Sequence, residues 1–317
     1  MGSRQSRWLA SIVLCAAAFA ANGADILKVI IPTPPGGGTD GYFRVLAREA
    51  EPLLNESIII TNVAGAGGTI GVAQLVRSAP DGQTVAGVWL GPITVAPNTS
   101  KVPYTPNEYV PIVQMSSAPY VMCVHPEFPA NDGGALIAEI KRNPDKYTYG
   151  HDGAGGPGHL GTARILRAVQ ASARDIPFKG AGDTLTAFLG KHIDIYVGSI
   201  PPIREQERSG KARCLLVTSA ERISALPNAW ALGDLGIPGE ETILWRALIA
   251  PRGTPAERIA KLEGAFERAA NSPAARKFLE DAGEQVAIKK GAALRKAIDM
   301  EYEAMGVVAR SLKLSPN

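Results

Sequence analysis

Two rhythms of hydrophobic positions alternate along most of this chain. Short apolar runs recur between longer stretches whose apolar residues are spaced three and four apart, and Gly and Pro gather at the joints. Uninterrupted apolar runs of strand length fit strands buried on both faces, and the stretches between them fit amphipathic helices. The pattern therefore predicts strand–helix–strand units around largely parallel sheets. Residues 27–32 read as a first strand, 33–38 as a loop, and 39–54 as a helix carrying Phe43, Leu46, Ala47, Ala50 and Leu54 on one side. The cycle then repeats: a strand over 57–62, a second glycine loop over 65–68, and a helix holding Ile70, Ala73, Gln74 and Val76. It stops at Pro80-Asp81-Gly82, ahead of a third strand over 84–89.

A second set follows the Pro-rich segment near Tyr104. Strands are predicted over 120–124, 147–150, 175–178, 193–197 and 212–218, and helices over 136–142, 159–170 and 184–189, with loops at 152–158 and 179–183. From Pro255 onward the tail reads as helical, with Thr254 as N-cap and a further helix over 273–282. The fold class is α/β: two such units plus a helical tail, in a chain of 317 residues that has the length for two domains.

The first residues break the rhythm. Arg4 and Arg7 precede an uncharged apolar run from Leu9 to Ala21, too short to span a bilayer as a helix and patterned as a secretory signal over residues 1–23. Cleavage after Ala20 and cleavage after Gly23 both satisfy the small-x-small rule, and Leu14 before Cys15 argues against a lipid anchor. Charged residues make up 20% of the chain, the net charge is +3 and no block of like charges occurs, so nucleic acid is not an expected partner. Cys123 and Cys214 each sit in an apolar strand-like run. An exported chain can pair them, but the expectation is two buried thiols acting as small hydrophobes. The four histidines show no zinc spacing, and no metal is predicted.

Three glycine loops carry the candidate chemistry: Gly36-Gly37-Gly38-Thr39, Ala66-Gly67-Gly68-Thr69 and Asp152-Gly153-Ala154-Gly155. Each stands where a strand hands over to a helix. There, unpaired backbone N–H groups and the helix dipole bind an anion without an arginine. Gly65-x-Gly67-x-x-x-Gly71 has a dinucleotide-type spacing, but no acidic residue ends a following strand where a ribose would need it, since Asp81 falls in a turn. No Gly-Lys-Ser/Thr and no Gly-x-Ser-x-Gly is present, and no catalytic constellation emerges, which leaves an NAD-type oxidoreductase as a remote alternative.

An ordered set of motifs runs through nearly the whole chain beyond the leader. It comprises Pro34-Pro35-Gly36-Gly37-Gly38-Thr39-Asp40, Ala64 to Gly71, Ala79-Pro80-Asp81-Gly82, Tyr149-Gly150 with Gly158-His159-Leu160, Pro177-Phe178-Lys179-Gly180, Leu189 to Asp194, and Trp245 with Ala250 to Ala256. In this set the chain resembles the periplasmic binding proteins of tripartite tricarboxylate transporters, the Bug proteins. The resemblance implies a type II-like periplasmic binding fold, two lobes joined by two crossing strands with a ligand cleft between them. Residues 24–124 and 248–317 would form one lobe and 125–247 the other. It also implies a soluble, monomeric periplasmic receptor without cofactor or enzymatic activity, which captures a small mono- or dicarboxylate, aromatic acids included, for inner-membrane transporter subunits. A ligand-responsive sensor is the alternative.

Carried over by residue, the resemblance puts Gly36, Gly37, Gly38, Thr39, Ala66, Gly67, Gly68 and Thr69 on the first lobe's side of the cleft. Asp152, Gly153, Ala154, Gly155 and Ser199 face them from the second. Thr33 stands where the family commonly has an aromatic residue, and His151 and Asp152 where it has small hydroxyl residues, so these three are the candidate determinants of ligand choice. Asp152 would accept a hydrogen bond from a ligand hydroxyl or amine. Asp40 is expected to stabilise its helix rather than meet the ligand, Phe43 to be core, Tyr42 to reach toward the cleft, Lys179 to be solvated and Trp245 to pack at the hinge.

Overall fold

The computed structural model describes residues 26–151 and 153–314. The leader over residues 1–23, with Cys15 and both cleavage sites, lies outside the described residues, as does Asp152.

The first unit follows the predicted rhythm: β1 (Ile26–Ile31), α1 (Gly38–Leu54), β2 (Ser57–Asn62), a single turn over Ala66–Gly68 running into α2 (Thr69–Val76), and β3 (Thr84–Trp89). A wide turn at Gly91–Val95 and the short α3 (Ala96–Thr99) lead to the long strand β4 (Tyr109–Pro119). The chain then enters a second unit of β5 (Val121–Val124), α4 (Gly133–Arg142), β6 (Thr148–His151), α5 (Pro157–Ala168), β7 (Arg174–Pro177), α6 (Ala181–Leu189), β8 (Ile195–Gly198), α7 (Ile200–Arg208) and β9 (Arg213–Val217). It returns through β10 (Ile243–Pro251) and ends with α8 (Ala256–Ala270), α9 (Pro273–Asp281), β11 (Gln285–Lys290) and α10 (Gly291–Ser311).

Two mixed sheets result, ordered β11-β4-β10-β3-β1-β2 and β7-β6-β8-β5-β9. Each holds a parallel trio in which the first strand of the trio is central: β1 between β2 and β3, and β6 between β7 and β8. The remaining pairings are antiparallel. Because the chain leaves the central strand to one side and crosses to the other, the helices cover opposite faces. Val29 and Ile31 of β1 pack with α1, α8 and α9, while Ile30 packs with α2 and α10. Alternating faces of one apolar strand thus feed two cores. In open α/β sheets ligands bind beyond the strands' carboxyl ends where the strand order reverses, which here is at the loops after β1 and β2.

The sheets change over at Tyr120 and at Thr242. Thr218 stitches the two crossings together. Its hydroxyl accepts from Tyr120 N–H (2.8 Å) and donates to the Thr242 carbonyl (2.6 Å), while the Thr242 N–H donates to the Thr218 carbonyl (3.1 Å). Trp245 is buried in the core beside α10, where its Nε1–H donates to Glu301 (2.8 Å).

Three expectations are corrected. Cys123 and Cys214 form a disulfide, because antiparallel pairing of β5 with β9 sets them directly opposite each other, Cα atoms 3.9 Å apart. Thr254 does not cap α8. Its hydroxyl donates to the Pro251 carbonyl and Pro255 takes the N-cap position. Tyr42 is fully buried, stacked on Phe278 at 5.7 Å with its hydroxyl donating to the Met115 carbonyl (3.3 Å), so it does not reach the cleft.

Candidate functional site

The loop between β1 and α1 is built around Asp40. That side chain is 2% exposed and accepts from Gly36 N–H (2.8 Å), Arg44 Nε (3.0 Å) and Asn62 Nδ2 (2.9 Å). Burial raises its pKa, but the hydrogen bonds from Arg44, Gly36 and Asn62 together hold the carboxyl below its ordinary range. The charge is consequently engaged by neighbours of the loop itself. Asn62 also donates to the Thr33 carbonyl (3.0 Å), while the Thr33 hydroxyl is buried without a partner. Gly36 adopts a left-handed φ of 87°, and Gly37 is the N-cap of α1 with no side chain capping it. The first helical bond runs from Gly41 N–H to the Gly37 carbonyl, so the N–H groups of Gly37, Gly38, Thr39 and Asp40 precede it, with Gly37 and Gly38 exposed.

The second loop packs directly on the first. A Cβ on Gly68 would stand 3.2 Å from the Pro32 carbonyl and 2.7 Å from Trp89, so at φ +95° only glycine fits. Thr69 begins α2, its hydroxyl donating to the Ala66 carbonyl (3.0 Å), and Ala66 and Gly67 are exposed at the tip with left-handed φ.

Beneath both loops lies a row of three paired residues, Ser116 of β4, Arg246 of β10 and Trp89 of β3, whose side chains share one face of the sheet. Trp89 supports Gly68. Arg246 is 4% exposed. Its Nε donates to the Thr39 hydroxyl (3.0 Å) and its Nη1 pairs with Glu284.

In the second unit the loop after β6 repeats the arrangement of the first. Gly153 and Gly155 take φ of 142° and 69°, Ala154 is exposed, and Gly156 is the N-cap of α5. Two histidines hold this loop from below. Gly153 N–H donates to His151 Nδ1 (3.3 Å), Gly155 N–H donates to His159 Nδ1 (3.0 Å), and the rings stack at 4.5 Å. Their Nε2 atoms lie 3.6 and 3.7 Å from Asp175 Oδ2. The spacing of this trio invites a metal ion, but a metal on Nε2 needs the proton on Nδ1, where each ring already accepts a backbone N–H. Both rings are neutral Nε2–H tautomers; burial lowers the pKa of each, that of His151 to about 4.

Contacts join these parts across the lobes. Gly155 lies against Thr99, the closest atoms 3.4 Å from where its Cβ would stand, and Gly161 lies against Thr242. Ser199 is the N-cap of α7, and the next residue, Ile200, touches Gly283, the neighbour of Glu284. A chain of contacts thus leads from Ser199 through Glu284 and Arg246 to Thr39. Lys179 is exposed. Sequence reasoning missed Trp89, Arg246 and Glu284. A lone arginine in the apolar run Ile243–Pro251 was the available signal for the second.

Comparison with known proteins agrees with this architecture. Residues 42–314 match the tripartite tricarboxylate transporter family receptor. A UPF0065 protein of Bordetella pertussis is 30% identical over 315 residues, covering 98% of each chain. A TctC solute-binding protein from Polaromonas superposes with a TM-score of 0.82 at 26% identity, over 90% of this chain and 98% of that one. MatC from Rhodopseudomonas palustris, solved with bound malate, superposes with a TM-score of 0.71 at 27% identity, over 89% and 98%. With its two crossing strands and glycine-loop cleft, the fold is that of type II periplasmic binding proteins. The chain belongs to the tripartite tricarboxylate transporter receptor family, whose members bind solutes and are not enzymes.

Proposed function

We propose that this protein is exported to the periplasm, captures a small organic acid between its two lobes and presents it to inner-membrane subunits of a tripartite tricarboxylate-type transporter. The observation that carries the reading is the first turn of α1. Four N–H groups, from Gly37 to Asp40, precede the first helical bond there, and the carboxylate of Asp40 is consumed by other partners. A ligand carboxylate at this turn gains charge-assisted hydrogen bonds and the favourable end of the helix dipole. Ala66 to Thr69 flank it, Gly153 to Gly155 and Ser199 close from the opposite side, and the lobes pivot where the chain crosses at Tyr120 and Thr242. The malate held by MatC supports a mono- or dicarboxylate ligand, and among the described residues no helix is long and apolar enough to cross a membrane.

Thermal shift of the mature protein against a panel of mono- and dicarboxylates and neutral solutes tests this. A ligand at a hundredfold its Kd stabilises the folded state by about 2.7 kcal/mol, a shift that is readily measured. Shifts produced by neutral solutes and by no carboxylate would overturn the reading.

A further inference from the structure

Arg246 is nearly fully buried, yet its guanidinium is not fully used. Nε donates to Thr39 and Nη1 pairs with Glu284, but Nη2 forms no hydrogen bond among the described residues. That nitrogen lies 3.3 Å from where a Cβ on Gly38 would stand. It therefore faces the same helix end whose N–H groups precede the first intrahelical bond. Beside it on β4, the buried hydroxyl of Ser116 also lacks a partner. The enclosed hydroxyl without a partner is costly, and Nη2, which is not itself enclosed, has N–H directions to spare, so this corner suits an entering acceptor.

We propose that Arg246 is a specificity-determining residue of the cleft, its Nη2 taking one oxygen of the ligand carboxylate in competition with Glu284. The inference rests on the carboxylate-capturing function proposed above. A guanidinium beneath the helix end adds a directed, charge-assisted bond to a site otherwise made of backbone groups, and so selects a planar carboxylate over a neutral carbonyl. Glu284 sets the threshold: its carboxylate holds Arg246 when the cleft is empty and repels an anion that fails to engage it. Glu284 also lies at the turn that touches Ile200 and Arg204 of α7. Loosening its hold on Arg246 therefore reports ligand entry to the second lobe.

The test is calorimetric titration of the full mature protein with malate, short straight-chain mono- and dicarboxylates, and their primary amides as neutral controls. Arg246→Gln alone strands Glu284 in the interior, so it is paired with Glu284→Gln. The double variant is expected to melt near wild type and to bind the acids ~10- to 100-fold more weakly, the range for losing one charge-assisted hydrogen bond. Glu284→Gln alone is expected to bind them several-fold more tightly, since the competing carboxylate is gone. A purely structural ion pair predicts the opposite sign for that variant. Equal affinity of the double variant and wild type, or weakened binding by Glu284→Gln, would overturn this inference and leave carboxylate capture standing. Failure of wild type to bind any acid would overturn both.

Discussion

A carboxylate in the first turn of a helix that is to receive an anion ought to weaken the site, and Asp40 escapes this by having its lone pairs occupied. Gly36, Arg44 and Asn62 all donate to it, so its removal should loosen the loop rather than strengthen anion binding. Asp40→Ala is expected to cost about 2 kcal/mol, in the range for hydrogen bonds to a charged group, read as a lower urea midpoint at unchanged slope. It should also weaken ligand binding, because Gly36 to Gly38 lose their anchor. The glycines of the second loop separate two effects. Gly67→Ala meets nothing within 4 Å and pays only for its φ of +64°, roughly 1 kcal/mol, whereas Gly68→Ala adds a clash with Trp89 at 2.7 Å. Gly68→Ala should therefore destabilise clearly more than its neighbour, in the same urea titration. The existence of both loops was legible in the sequence, since runs of glycine before helical periodicity have few other uses. The floor beneath them was not, because Ser116, Arg246 and Trp89 are far apart in the chain and become neighbours only through strand pairing.

The parallel strands were read within two residues, as with Ser57–Asn62 and Thr84–Trp89, whereas α4 and α6 begin three residues earlier than read and α7 was not predicted. Each of these strands is an apolar run bounded by turns, and the helix behind it has its own periodicity. The antiparallel strands of the first sheet, β4, β10 and β11, were missed for a physical reason. β4 carries Gln114 and Ser116 at buried positions, β10 carries Arg246, and β11 is a Gln-Val-Ala-Ile-Lys-Lys segment with no fully buried residue inside a helical tail, so none shows the unbroken apolar signal. The same blindness hid the disulfide. Nothing in the sequence says that β5 and β9 are neighbours, and only that adjacency sets Cys123 opposite Cys214. The bridge ties the strand that enters the second sheet to the last strand before the chain leaves it, closing a loop of separation 91. Cys123→Ala with Cys214→Ala is expected to cost ~2–4 kcal/mol, the usual range for losing a native bridge, with a lower melting temperature that reductant reproduces in wild type.

Across the whole molecule, buried histidines and a buried glutamate, with pKa values shifted in opposite directions, shape how stability follows pH. His151 is buried, and its pKa falls from 6.5 to about 4 through burial and the neighbouring His159, against the pull of Asp175. The unfolded chain therefore takes up this proton first as pH falls, and stability should drop from pH 6.5 toward 4. Glu301 runs the other way. Burial raises its pKa from 4.5 to about 7, despite hydrogen bonds from Trp245 and Thr94 and the nearby Arg164 of α5. Here the folded state holds the proton more tightly, so stability should drop as pH rises from 4.5 through 7. Each shift corresponds to something on the order of 3 kcal/mol, and the two have opposite sign between pH 4.5 and 6.5. Glu301 should therefore offset part of the loss that the buried histidines cause as pH falls through that window, and wild type should lose stability more steeply below it. Each single substitution unmasks the other slope: in His151→Gln the melting temperature should fall as pH rises from 4.5 to 7, and in Glu301→Gln it should climb from pH 4 to 6.5. Because His151 holds the second lobe's glycine loop and Glu301 sits where α10 of the first lobe meets α5 of the second, opposite slopes in the two variants would mean that the cleft keeps its shape across mildly acidic pH through two compensating titrations. Curves that merely shift in parallel with wild type would show that neither group titrates differently in the folded protein.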